Sequence, residues 1–220
     1  MIKSFSLVVL LITLFNFGSF AEEIQAFNFT KEEFDNLTVR KIKKKTKYTL
    51  GSNENGNFLK AEAEGQASGL GKEILIDLNK TPFLNITWKV EKDLSGIDEK
   101  SKKGHDYAAR VFVIKKTGST ALSNRAINYV FSSNEEIGQY WRSPFTKKSI
   151  DYVLATTKTN NNEWVTVKTN VKEDFKKLHD LDVNELNGVA IMTDTDNSKI
   201  KSIACLLYTS RAHETTCDLV

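Results

Sequence analysis

G-V-A-I-M-T-D-T-D-N-S, Gly188 to Ser198, joins an apolar run to a cluster of carboxylate, amide and hydroxyl side chains. Val189 to Met192 suit a strand covered on both faces, and Asp194, Asp196, Asn197 and Ser198 are residue types that bond their own backbone in turns. The stretch therefore reads as a buried, central strand delivering a polar loop at its exit. A strand of that kind needs partners on both sides, and the rest of the chain supplies candidates.

Working outward, Trp164 to Lys168, Ile150 to Thr156 and Ala126 to Phe131 are short runs rich in β-branched and aromatic residues, with Asn160 to Asn162 as turn-formers between the first two. Asp106 to Ile114 alternates, placing Tyr107, Ala109, Val111 and Val113 on one side and Asp106, Ala108, Arg110, Phe112 and Ile114 on the other. In Leu84 to Val90 the residues Leu84, Ile86, Trp88 and Val90 share a face, which predicts a core position for Trp88. Glu73 to Leu78 is another apolar run. Phe58 to Glu64 alternates Leu59, Ala61 and Ala63 with charged residues, and the turn G-S-N-E-N-G-N joins it to Thr46 to Leu50 as a hairpin.

The intervening segments carry weaker signals. Phe27 to Phe34 reads as a strand leading into one helical turn. Gly65 to Gly71 has the glycines of a loop but lacks the preceding strand and following Lys-Ser/Thr of a phosphate cradle. Asp93 to Gly104, charged and glycine-bounded, reads as a mobile loop. Only Val171 to Leu181 has helical spacing, with Val171, Phe175 and Leu178 on one face and Asn170 placed to cap. Many short strands at roughly ten-residue intervals, with one short amphipathic helix, predict a mainly β chain folded as an antiparallel β-sandwich or jelly roll.

Composition narrows the function classes. The chain has 220 residues, 40% of them apolar, which suits one domain with one core. With 31 basic and 28 acidic residues the formal charge is +3, too balanced to argue for nucleic acid. The local exception is R-K-I-K-K-K-T-K, Arg40 to Lys47: either a solvated edge strand whose lysines block unwanted pairing, or a contact for phosphate, anionic lipid or acidic glycan. Lys3, the apolar run Leu7 to Phe17 and Ser19-Phe20-Ala21 have the form of a signal peptide over residues 1–21. The run is shorter than the about 20 residues of a membrane span, so no span is expected after cleavage. The oligomeric state is open.

Candidate site residues follow from the same strands. Asp106 and Arg110 would look the same way about 13 Å apart along a strand, leaving either a polar groove between them or two separate cross-strand pairs. Tyr107, Tyr140, Trp141 and Trp164 are candidate stacking platforms for a polar ligand, with core packing as the alternative for each. Asp194, Asp196 and Asn197 offer hard oxygens to a metal. Ca²⁺ asks for about six to eight oxygens, so backbone carbonyls, water or Asp106 would have to complete the set, while capping of a turn needs none. His105, His179 and His213 have no nucleophile or zinc-motif partners, which argues against hydrolytic triads and zinc. Asp106, Asp194 and Asp196 could in principle supply the two carboxylates of a glycosidase.

The blocks F-L-K-A-E-A-E-G-Q-A-S-G-L, L-N-I-T-W-K-V, D-Y-A-A-R-V-F-V, A-I-N-Y-V-F and G-V-A-I-M-T-D-T-D-N, in this order between about Phe27 and Ala204, resemble the exported bacterial family catalogued as domain of unknown function 3047. The resemblance implies a galactose-binding-like or lectin-like sandwich with no established activity, in a periplasmic or secreted bacterial protein. His105 stands where the family tends to have an acid and Thr169 where it tends to have Arg, so ligand geometry built on those positions does not carry over. The family would close on a different strand after Ala204, whereas residues 205–220 resemble a non-native or disordered tail; a Cys205–Cys217 disulfide is the alternative. The expected domain is 22–204. The expected function is non-catalytic binding of a glycan or other polar ligand, against a glycan-active hydrolase using Asp side chains or a structural envelope protein.

Overall fold

The computed structural model describes residues 24–120 and 123–212; the expected signal peptide, His213 and Cys217 lie outside them. Thirteen strands and two helices follow in order: β1 (Ile24–Phe27), α1 (Lys31–Asn36), β2 (Thr38–Lys41), β3 (Lys47–Asn53), β4 (Gly56–Glu64), β5 (Ala67–Asp77), β6 (Phe83–Lys92), β7 (Tyr107–Lys115), β8 (Arg125–Ser132), β9 (Tyr140–Arg142), β10 (Ser149–Thr156), β11 (Val165–Asn170), α2 (Val171–His179), β12 (Glu185–Asp194) and β13 (Lys201–Ala212). They form two sheets. One runs β11-β6-β13-β4-β3 with β1 also on β13, and the other runs β2-β5-β12-β7-β8-β10-β9. The pairing is antiparallel apart from β8 with β10, which is parallel. The expected sandwich is therefore the fold.

Alternation decides which residues fill the space between the sheets. Leu59, Leu84, Ile86, Trp88 and Val90 from one sheet meet Leu70, Val111, Val113, Ile127, Tyr129, Phe131, Val189 and Ile191 from the other. Trp88 is fully buried and tilts against Phe131 across the core, ring centroids 5.5 Å apart. Helix α2 closes one side with Val171, Phe175 and Leu178. Its cap is the expected Asn170, whose side chain accepts from Glu173 N, and Asp180 in the left-handed region ends it two residues before Leu181. A second helix, α1, forms where one turn was expected: Thr30 accepts from Glu33 N while Glu33 Oε2 accepts from Asn28 N and Phe29 N. That reciprocal bonding satisfies helix-end donors from within the segment.

Partner strands outweigh local residue preference in one segment read as a loop, and two further segments carry contacts beyond what their local sequence announces. Gly69 and Gly71 are strand residues of β5, since β2 and β12 on either side supply hydrogen-bond partners to an otherwise loop-like sequence. The segment Asp93 to Gly104 is pinned: Leu94 N donates to Ser133 Oγ, Gly96 N to Asn134 Oδ1, and the buried Glu99 carboxylate accepts from Ser132 Oγ, Ser133 N and Asn134 Nδ2. Burial raises the Glu99 pKa against those donors. Strand β13 continues past Ala204 to Ala212, with Cys205 and Leu206 paired to β4 and buried. Burial pushes the Cys205 thiol up to about 11, beside the Glu91 carboxylate.

Candidate functional site

Strand β12 lies in the interior of the seven-stranded sheet, between β5 and β7, and delivers Asp194 and the loop beyond it. There Asp106, Asp194 and Asp196 bring carboxylate oxygens within 4.8 Å of one another. Arg110 does not face open space. A register irregularity between Met192 and Asp194 brings the Arg110 guanidinium onto Asp194 Oδ2, while Tyr107 N donates to Asp194 Oδ1 at 3.2 Å. Asp106 is engaged separately: Oδ1 accepts from Asn197 N and Nδ2, at 3.2 and 2.8 Å, and Oδ2 from Ser198 N at 2.6 Å. The two charges expected to flank a polar groove are thus each tied to the β12 exit loop, as cross-strand pairing demands of buried charge.

The electrostatics of the pair follow from depth. Burial pushes the Asp194 carboxyl up to about 7, against the lowering pull of Arg110 and with Asp106 adding repulsion. Burial opposes the Arg110 charge, but Asp194, Asp151 and other neighbours outweigh it and raise its pKa. The guanidinium is flanked by the Tyr107 and Phe112 rings, 4.8 and 5.5 Å from their centroids. For Ca²⁺ the donor set fits poorly. Asp106 and Asp194 each have both oxygens on N–H or guanidinium donors, Asn197 turns its Nδ2 onto Asp106 and offers only Oδ1, and a fixed positive charge sits in the cluster. Calorimetric titration with millimolar Ca²⁺ is expected to give no binding heat and no shift in Tm.

The aromatic candidates divide between the sheets. Tyr107 is buried, its hydroxyl near Glu99 O, and is packing rather than platform. Trp141 is half-buried against Tyr107, Val130 and Val153, with Lys100 Nζ 5.2 Å from its ring centroid. Trp164 belongs to the opposite sheet, edge-on to Phe58 at 5.8 Å, and is not brought near the other candidates. Tyr140 is half-exposed at the β9 edge, with Lys177 over it.

Residues paired directly across a ladder carry their side chains on the same face. Reading across the seven-stranded sheet, one outward row is Arg40, Gly69, Met192, Arg110, Val130 and Val153. The next is Thr38, Gly71, Ala190, Phe112, Asn128, Asp151 and Trp141. A third begins Glu73, Gly188, Ile114 and Ala126. Gly71, Ala190, Phe112 and Ile114 are partly exposed, so the middle of this outer face is an open floor in which two small residues lie beside the Phe112 ring and Ile114. A Cβ at Gly71 would sit 3.1 Å from that of Ala190, which shows how closely the floor is packed.

The floor is bounded on one side by the exposed strand β2 and on the other by a raised corner. In that corner His105 Nε2 lies 2.8 Å from Asp151 Oδ2, Asn128 Nδ2 donates to Asp151 Oδ1 at 2.7 Å, and Ser149 Oγ donates to Asn128 Oδ1. Phe145, 59% exposed, stands edge-on to His105 at 5.4 Å. The sequence shows no sign of this chain of contacts, because residues 128, 149 and 151 meet through the parallel pairing of β8 with β10 and His105 reaches them only because β7 lies on the other side of β8. The Trp141 indole nitrogen is buried with no hydrogen-bond partner among the described residues.

Fold and face together define a two-sheet β-sandwich with a partly exposed, largely apolar floor on one sheet. The chain belongs to the family described as "Protein of unknown function (DUF3047)", matched over residues 32–208. No curated protein matches it. Among solved structures, the family 30 carbohydrate-binding module of a Clostridium thermocellum cellulosomal cellulase is similar, with 6% identity over 88% of this chain and 99% of that one, TM-score 0.51. A cellulase derived from Rhodothermus marinus Cel12A gives 8% identity over 88% and 100%, TM-score 0.48. The xyloglucanase domain of NopAA from Sinorhizobium fredii, solved with cellobiose, gives 10% over 80% and 93%, TM-score 0.46. Among the described residues no helix is long and apolar enough to cross a membrane.

Proposed function

We propose that the protein is a non-catalytic binding module for a glycan, exported by the N-terminal segment of signal-peptide form. The observation that carries it is the outer floor of the seven-stranded sheet, Gly71, Ala190, Phe112 and Ile114, open between β2 and the Phe145 corner. Sugars present apolar ring faces edged by hydroxyls. A shallow floor with an aromatic ring in it and polar groups at its β2 rim, here Thr38 and Arg40, can receive both. The shared architecture with a carbohydrate-binding module supports the reading at the level of fold. Catalysis lacks support because Asp106 and Asp194 are buried, crowded within 4.8 Å and engaged by donors, whereas a glycosidase holds its carboxyls about 5 Å or more apart across the bond they cleave.

Affinity electrophoresis and calorimetry of the purified chain against soluble polysaccharides test this. Ala190→Tyr would stand a ring on the floor without disturbing the core face, and is expected to weaken binding at least about tenfold while the unfolding midpoint changes little. Reducing-end assays on bound glycans are expected to show no turnover. A chain that binds none of a broad polysaccharide panel ends the proposal.

A further inference from the structure

Strand β2 is exposed along its whole length and forms the edge of the seven-stranded sheet. Arg40 heads the outward row that runs through Gly69, so its side chain is placed at the rim of the floor. Past the strand the chain stays on β5: Ile42 N and Lys43 N both donate to Ala67 O. From Gly71 to Ala67 is about 13 Å along β5, and over that length the chain carries Arg40, Lys43 and Lys44 at the rim, with Lys41 turned to the other face by its pairing with Ser68. None of these, nor Lys45, forms an ion pair with a carboxylate among the described residues, although nearby Lys47 pairs with Glu62 and Lys72 with Glu33.

The far end of the rim is a meeting of like charges. Lys43 Nζ lies 3.4 Å from Asp196 O, and Lys199 Nζ donates to the same carbonyl. The nearness of Lys43 lowers the Lys199 pKa. The acids facing this pair, Asp106 and Asp194, are occupied by the Asn197 and Ser198 amides and by Arg110, and Asp196 contributes only its backbone oxygen to the lysines. At the other end of β5 the acid on the outward rows, Glu73, is matched by Lys116 at 3.2 Å. The floor therefore has a basic wall whose β2 cations form no ion pair with a carboxylate among the described residues, and at its far end two ammonium groups share one carbonyl, offset in part by the nearby Asp106 and Asp196 charges, where an incoming anion would meet both.

We propose that the ligand of this face is an acidic polysaccharide, lying along β5 with its anionic groups at Arg40, Lys43 and Lys199. This rests on the glycan-binding function proposed above and specifies its chemistry. Pyranose rings occupy the floor beside Phe112, and carboxylate groups on the chain take the place that protein carboxylates leave empty along β2. Arg40, with its planar fork, suits bidentate recognition of a carboxylate, and the paired lysines act as a compact positive site.

The probes are polygalacturonate and the same polymer fully methyl-esterified, which keeps the sugar and removes the charge. Polygalacturonate is expected to bind, more weakly as salt rises, and the ester at least tenfold less well. Arg40→Ser combined with Lys43→Ser and Lys199→Ser is expected to cost polygalacturonate affinity at least tenfold, with Arg40→Lys alone intermediate. Equal binding of acid and ester, or salt-independent binding of a neutral glycan that Ala190→Tyr abolishes, overturns the acidic preference and leaves the glycan module standing. Polygalacturonate binding untouched by Ala190→Tyr, or binding to phosphatidylglycerol vesicles that polygalacturonate does not compete away, would place the anion site off the floor and refute the proposal. Failure of all polysaccharides removes both.

Discussion

Arg110→Met is expected to destabilise the fold, and by about 1–2 kcal/mol more at pH 8 than at pH 5. At pH 8 Asp194 is a buried carboxylate whose compensating charge is the Arg110 guanidinium. Deleting that charge leaves the carboxylate with Tyr107 N and two neighbouring acids. The pH dependence follows from linkage. The Asp194 pKa is raised from 3.8 to about 7, so the folded chain keeps a proton that the unfolded chain releases above about pH 4. The stability contributed by this group is full below about pH 4 and is lost as pH rises through 7. Without Arg110 the folded pKa moves higher still, so the variant goes on losing stability where the wild type has levelled off. At pH 5 Asp194 is neutral in both, and only packing between Tyr107 and Phe112 is lost. Urea titrations at the two pH values measure the difference, and Asp194→Asn placed on the variant should recover most of the loss at pH 8. An equal loss at both pH values would assign Arg110 to packing alone.

Trp88→Ala is expected to cost about 3–5 kcal/mol at any pH between 5 and 8, from the volume removed where the two sheets meet. Trp88→Phe should cost roughly 1–2 kcal/mol, because the indole nitrogen has no hydrogen-bond partner among the described residues and only ring volume is lost. A loss on Trp88→Phe as large as that of the alanine variant would show that the N–H is bonded in solution. The contrast with Arg110 separates the two sources of stability: hydrophobic burial does not titrate, and a buried ion pair beside a carboxyl near pH 7 does.

These two residues also mark how far the sequence could be read. Trp88 is legible as core because strict alternation from Leu84 to Val90 assigns its face without knowledge of any partner. Arg110 is not, because its face is known from alternation but its partner depends on which strand lies beside β7 and on the register irregularity between Met192 and Asp194. Asp106 is similar: alternation set its face and left a groove or a cross-strand pair open, and only the return of the 197–198 backbone shows what it binds. The glycines of β5 were misleading for a related reason. Glycine weakens a strand by its own preference, yet two neighbouring strands fix Gly69 and Gly71 in place, and the missing side chains become the floor.

What the sequence determined by itself was carried by short-range periodicity: the sandwich, the core faces of its strands apart from Tyr107, which the register irregularity turns to the Arg110 side, the cap of α2, and β12 as an interior strand ending in acids. Two-residue alternation and turn chemistry are local properties, so they are written in adjacent residues. The tertiary structure alone decided the partners. It joined Arg110 to Asp194, joined His105 to Asp151 through a parallel pair of strands, sent Trp164 to the opposite sheet, and lined up Arg40, Gly71, Ala190 and Phe112 from four strands on one face. Those contacts join residues up to about 150 positions apart, and strand order and register, which set them, are fixed by the packing of the whole chain.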